Sequence, residues 1–207
     1  MGTHGFAYDN TMSIAPLFHL EVQGLAYGPI QNLSFTWPAG VSWVCGDEGK
    51  GKTTLLRMLA GDVQPTTGQV TQPEGGVFWA DLQNPKHDAT SVQRCWDDLR
   101  AHHPHWNDEV LNDLTDALNM NEHRDKQLHM LSAGSRRKVM VIAALASGAT
   151  VTLLDQPFAA LDFGSIRTIK DFLHEAAEHL SRAWIVADYT VPNDLPLASV
   201  LNLDELQ

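Results

Sequence analysis

The residues with the clearest chemistry are Gly46-Asp47-Glu48-Gly49-Lys50-Gly51-Lys52-Thr53, which match G-x-x-x-x-G-K-[ST]. Gly46, Gly49 and Gly51 let the backbone curl until several N–H groups face one anion. The apolar run before the motif reads as a strand and KTTLLRMLA after it as a helix, so the loop ends on a helix N-terminus whose dipole favours a phosphate. Lys52 then reaches the terminal phosphates, Thr53 offers a hydroxyl to Mg2+, and Thr54 follows in the first helical turn. A second apolar run, Val151-Thr152-Leu153-Leu154-Asp155, ends in a carboxylate that can hold the same ion. Asp47, Glu48 and Lys50 are unusual company for a polyphosphate, and the sequence assigns them no role.

The elements that must position these groups follow from periodicity and punctuation. Leu17–Val22 and Ile30–Trp37 read as strands separated by a Gly24–Pro29 turn region, and Val41–Cys45 as a buried strand. Lys52–Ala60 is helical with Gly61 as its stop; the segment from Gly61 to Trp79 reads as a strand pair. Thr90–Leu131 is rich in His, Asp, Asn and Trp, with helical spacing at Val110, Leu111, Leu114, Ala117 and Leu118; it reads as a separate helical subdomain. A helix from about Ala133, a strand at Thr150–Leu154, a helix near Ser165–Leu180 and a strand at Ala183–Ala187 complete the pattern. Strand–helix alternation of this kind predicts an α/β core with a mostly parallel sheet, with ligands at the carboxyl ends of the strands. Residues 1–16 read as a flexible tail before a single domain over 17–207.

Composition narrows the classes. With 14 Lys+Arg against 25 Asp+Glu the net charge is −11, which argues against a bulk nucleic-acid binder without excluding a local phosphate site. The longest clean apolar run, Val139–Ala146, is far short of the ~20 residues of a membrane span. Cys45 and Cys95 are too few for a disulfide framework or zinc site and point to a reducing compartment. His102, His103 and His105 lack metal-ligand spacing and read as a polar loop. The six tryptophans do not interleave with basic residues and read as packing; Arg136-Arg137-Lys138 reads as a solvated helix face.

Three further segments carry a family resemblance. Leu131-Ser132-Ala133-Gly134-Ser135-Arg136-Arg137 resembles the LSGGQ signature of ATP-binding cassettes, the nucleotide-binding subunits of ABC transporters. Gln156-Pro157-Phe158-Ala159-Ala160-Leu161-Asp162 resembles the stretch from that family's catalytic carboxylate to its D-loop. Tyr27 stands where the family places an aromatic that stacks on adenine, and Gln83 aligns with its Q-loop glutamine, with Asp81 as the competing alignment. The short length and the LSAG variant also resemble the ATP-binding subunit of haem exporters. The resemblance implies a P-loop NTPase core with an antiparallel β subdomain and a small helical subdomain over about 88–135. It implies ATP and Mg2+ as ligands, with Gln83 among the metal-side groups. It implies a head-to-tail pair with a second cassette, in which Ser132 and Gly134 contact nucleotide held by the partner and Asp162 is a further nucleotide-binding residue at the junction. It implies a separate transmembrane subunit and a place at the cytoplasmic face of a membrane, with no nucleic-acid partner.

Two positions depart from the family. Gln156 stands where it usually has the Glu that activates water; glutamine has nearly the same shape but no basic oxygen. Asp188 stands where a switch histidine is expected, and an ionised carboxylate repels a terminal phosphate instead of donating to it. The expectation is a chain that binds ATP and hydrolyses it slowly, or a non-hydrolysing regulatory subunit that completes the site of a catalytic cassette.

Overall fold

The computed structural model describes residues 20–82 and 84–206. The expected N-terminal tail and Gln83 lie outside them. Among the described residues, eight strands form two sheets. In the first, β2 (Ile30–Trp37), β1 (Leu20–Tyr27) and β4 (Thr67–Thr71) are antiparallel in the order β2-β1-β4. In the second, β5 (Val77–Phe78), β6 (Val151–Asp155), β7 (Ala183–Ala187), β3 (Gly40–Cys45) and β8 (Ser199–Asn202) are parallel in the order β5-β6-β7-β3-β8.

The inner strands of the parallel sheet are mostly apolar, with Ser42 and Thr152 as buried polar exceptions, because both of their faces are covered. Every residue of β3 and of β7 is buried. Alternation along β3 sends Val41, Trp43 and Cys45 to one apolar cluster and Val44 to the other. The Val44 side also takes in Leu55, Leu56 and Leu59 of α1 (Lys52–Leu59) together with Leu20, Leu25 and Ile30 of the antiparallel sheet. Burying each of these α1 leucines is worth about 1.5–3 kcal/mol against leaving it in water, so the helix that starts at the phosphate loop is held between two sheets. The Trp43 side packs against α4 (Ala133–Ala146) and α5 (Phe163–Ala176).

On the same side stand α2 (Val92–Arg100) and α3 (Asp108–Ala117), the expected helical segment. Ser91 caps α2 by accepting from the Arg94 amide, and Asn107 caps α3 by accepting from those of Glu109 and Val110. The Trp96 indole of α2 donates 3.0 Å to the Val139 carbonyl, tying α2 to α4. Trp37, Trp43, Trp96 and Trp184 are buried, as packing residues should be.

Three expectations are corrected. β1 does not stop at Val22; it runs through Gly24 with register shifts against β2, and only Gly28 and Pro29 lie between the strands. β4 and β5 are not a pair: β4 joins β1 and β5 joins β6. The helix expected to reach Leu180 ends at Ala176, and β8 is a further strand. Alternation marks a strand without naming its neighbour, and four residues are too few for a period to show.

Candidate phosphate-binding site

β3 delivers the chain to Gly46, and Gly46, Gly49 and Gly51 take φ of 148°, 80° and 97°. Gly51 is the one most tightly constrained. It caps α1 in the left-handed conformation, and a Cβ there would stand 3.0 Å from Pro29 Cγ and 3.1 Å from Ile30 Cγ1. No side chain caps this helix, so its first-turn amides remain available to an anion.

Lys52 is 6% exposed, and its Nζ donates to the Gly46 carbonyl at 2.5 Å and the Asp47 carbonyl at 2.9 Å. The Tyr189 ring lies 4.3 Å from the same ammonium. Thr53 Oγ1 donates 2.6 Å to Asp155 Oδ2, while Asp155 Oδ1 is buried without a partner. Burial pushes the Asp155 carboxyl above the usual carboxylate range; the Thr53 hydroxyl, Arg137 and Lys52 oppose that rise. A threonine oxygen beside an unpaired carboxylate oxygen fits a hard divalent cation such as Mg2+.

Gln156 has φ 46°, a left-handed conformation unusual for glutamine and worth about 1–3 kcal/mol of strain. Its amide donates 2.8 Å to the Ala187 carbonyl, and its own carbonyl accepts from Arg137 Nη1 at 2.5 Å. Arg137 Nη1 also donates 3.1 Å to the Asp155 carbonyl. A groove of about 320 Å³ brings Gln156 together with Gly49, Gly51, Lys52, Thr53 and Thr54, and Tyr189 closes its side. Asp188 does not line this groove; its Oδ1 accepts 2.8 Å from the Tyr189 amide. Tyr27 also lies outside the lining, 41% exposed at the end of β1. A second cavity of about 280 Å³ sets Asp81 and Arg57 beside Thr53, Asp155 and Gln156.

Ser132, Gly134 and Asp162 form a separate group. Ser132 caps α4 by accepting 3.0 Å from the Ser135 amide. Gly134 presses on the Ala160 carbonyl so closely that a Cβ would collide with it. Asp162 caps α5, accepting from the Ser165 amide at 2.9 Å, the Ser165 hydroxyl at 2.7 Å and Lys138 Nζ at 3.0 Å. These partners, the Ser165 amide first, hold its carboxyl well below the usual range. None of the three lines the groove within one chain.

The basic run is not a solvated face. Arg136 donates to the Leu82 carbonyl, Asp88 and the Asn84 carbonyl, Arg137 braces residues 155 and 156, and Lys138 reaches the Leu118 carbonyl and Asp162. Tyr189 is a groove residue that the motifs did not single out, its neighbour Asp188 being the nearest signal; Arg137 stood at the end of the signature-like segment and in the basic run but was given no role at the site.

A family model described as "ABC transporter" matches residues 30–159, more than half of the chain, from β2 through the loop and signature to just past Gln156. The chain belongs to the ABC transporter family. This cassette is 30% identical over 176 residues to ABC transporter I family member 10 of Arabidopsis thaliana, covering 79% of this chain and 64% of that protein. It is 35% identical over 142 residues to the cytochrome c biogenesis ATP-binding export protein CcmA of Pseudomonas savastanoi, covering 63% of this chain and 66% of that protein. The chain thus spans slightly under two thirds of the length of these two relatives. A solved ABC transporter ATP-binding protein from Pyrococcus furiosus superposes with a TM-score of 0.72 at 21% identity, covering 91% of this chain and 99% of that one, a likeness of fold. The parallel sheet with its antiparallel companion and helices is the cassette fold. No helix among the described residues is long and apolar enough to cross a membrane.

The burial of the Asp155 carboxylate leads to an expected result for the cassette. Asp155 titrates above its unfolded value, so as pH rises through the window between the two, the unfolded chain loses its proton first and stability falls. Above both values the full cost is present. Asp155→Asn is therefore expected to raise the melting temperature of the nucleotide-free chain at neutral pH while removing the Mg2+ dependence of nucleotide binding. Parallel thermal melts and binding titrations check both halves; a lower melting temperature contradicts the first.

Proposed function

We propose that this cassette binds MgATP between its phosphate loop and the Thr53–Asp155 pair and converts that binding into closure against a second cassette, moving a separate membrane-spanning partner. The observation that carries this reading is the preassembled pair: the Thr53 hydroxyl on Asp155, an unpaired Asp155 oxygen, and Lys52 at the same groove. In it the loop and α1 amides hold the phosphates, Lys52 and Thr54 face them, and Tyr27 contributes its exposed ring to the base. Bound Mg2+ supplies charge neutralisation between the phosphate oxygens and the protein. Asp81, the competing alignment for the family's glutamine, shares a cavity with Thr53 and Asp155 and serves the metal side, while the Gln83 alignment falls outside the described residues. Ser132 and Gly134, which stay clear of the chain's own groove, serve nucleotide held by the partner cassette, with Asp162 structuring the segment behind them.

Hydrolysis is slow in this reading. Gln156 occupies the position of the water-activating group with an amide, and the Asp188 carboxylate is turned onto the Tyr189 amide. The same two features favour a second reading, in which the chain is a regulatory subunit that completes the competent site of a different cassette. Residues 17–207 act as one ABC domain with the helical subdomain at about 88–135 as coupling surface, placed at the cytoplasmic face of a membrane through its partner.

Equilibrium titration with MgATP, ATP turnover and affinity capture from detergent-solubilised membranes test this together. Micromolar binding, turnover far below that of an active cassette and copurification of a polytopic membrane protein are the expected results. Failure to bind MgATP ends the proposal. Recovery of a second, catalytic cassette selects the regulatory form.

A further inference from the structure

The phosphate loop has a support that lies outside the segment matched by the family model, which ends at residue 159. β8 pairs with β3, the strand that feeds the loop, and then turns at Leu203–Glu205 directly beside it. The contact is close: a Cβ on Gly46 would stand 3.2 Å from Leu203 Cβ and 3.6 Å from the Asp204 amide. From this turn the Asp204 carboxylate accepts the Asp47 amide with both oxygens, each at 3.1 Å, and lies 3.5 Å from Lys50 Nζ. The turn is itself pinned, since Asn202 accepts from the Asp204 amide at 3.0 Å and donates to Glu205 at 2.8 Å. The second and fifth residues of the eight-residue motif are thus both held by one carboxylate 157 residues downstream of Asp47.

We propose that Asp204 is a positioning residue for the phosphate loop: it anchors the Asp47 amide and the Lys50 ammonium so that the remaining loop amides and Lys52 stand ready for a polyphosphate. The physical reasons are charge and entropy. A loop of Gly46, Gly49 and Gly51 has wide backbone freedom, and ordering it on binding costs about 1–2 kcal/mol per residue. A charge-assisted bond from a folded strand end removes part of that freedom beforehand. The arrangement also gives the odd composition of the loop a purpose. Lys50 neutralises the carboxylate that anchors Asp47, so the anchor adds no net negative charge beside the anion site. Asp204 touches no phosphate and acts through the loop.

The proposal rests on MgATP being the ligand of this groove, and the experiment separates the two. MgATP affinity is measured by equilibrium titration for the wild-type chain, Lys52→Ala, Asp204→Ala, Asp204→Asn and Lys50→Met, with thermal melts and amide exchange at Asp47. The expected result is wild-type binding that Lys52→Ala removes, about tenfold weaker binding in Asp204→Ala, and an intermediate loss in Asp204→Asn, which keeps an acceptor for the amide and loses the charge. The Asp47 amide, protected in the wild type, exchanges freely in Asp204→Ala while melting temperatures stay within a few degrees. Asp204→Ala combined with Lys50→Met costs less than the sum of the two single changes. Wild-type affinity in a folded Asp204→Ala overturns the inference, as does a loss of affinity only in proportion to lost stability. Absence of MgATP binding in the wild type overturns the functional reading on which it stands.

Discussion

Gln156→Glu combined with Asp188→His is expected to raise ATP turnover by about 10²–10⁴-fold, the usual worth of a general base. The rest of the site stands ready for the exchange. Gln156 already lines the phosphate groove, and its backbone is held at φ 46° by the Ala187 carbonyl and the Arg137 guanidinium, contacts that engage only the main-chain atoms of Gln156. Glutamate therefore enters with the same backbone and nearly the same volume, exchanging an amide for an oxygen that accepts a proton. The second substitution replaces the Asp188 carboxylate, which sits next to the groove-lining Tyr189, with a side chain able to donate to a terminal phosphate. It sacrifices the bond from the Tyr189 amide to Asp188, a local contact next to the 47% exposed Tyr189. Phosphate release from the single and double variants checks this, with Lys52→Ala in the same background as the blank. A double variant that binds MgATP and turns over no faster than wild type shows that turnover is limited elsewhere, in geometry or in a missing partner cassette.

Lys52→Ala is expected to weaken MgATP binding by about a hundredfold or more, because truncating a buried charge that faces an opposite charge costs roughly 2–5 kcal/mol. Lys52 is buried, and its ammonium rests on the Gly46 and Asp47 carbonyls and the Tyr189 ring. In binding, these neutral contacts are exchanged for phosphate oxygens, which hold an ammonium more strongly. The fold should tolerate the change, since the bonds lost are one residue's own and the α1 leucines are untouched. Titration of Lys52→Ala with MgATP and MgADP reads the effect, and a melt confirms the fold. An affinity within a few-fold of wild type for both nucleotides places the phosphates somewhere other than this loop.

Some of this site was open to inspection along the chain. The phosphate loop is a contiguous run whose glycine spacing states its own backbone geometry, and α1 begins where its pattern says. The strands β2, β3, β6 and β7 announce themselves because burial on one or both faces leaves an apolar signature in a few adjacent residues. Ser132 as a cap is legible because its bond reaches only three residues ahead. The substitutions Gln156 and Asp188 were visible from their place after Asp155 and in the segment following β7.

What no local pattern contains is the meeting of distant segments. Thr53 and Asp155 are 102 positions apart and share a bond because β3 and β6 flank β7 in the same parallel sheet. Arg137, expected in solvent, turns inward because α4 packs on that sheet and puts its first turn beneath residues 155 and 156. Asp188 and Tyr189 exchange roles at the groove because the backbone after β7 turns the carboxylate onto an amide and leaves the ring over Lys52. Asp204 reaches the loop only because β8 is the neighbour of β3. The local chemistry, a glycine-rich loop, a carboxylate closing an apolar strand and an amide where the family has a base, is written in residue types and short spacings, since each depends on bonds within one loop, strand or helix turn. Which side chains face that chemistry and which hold it still follows from strand order and packing, because those depend on segments more than a hundred residues apart becoming neighbours.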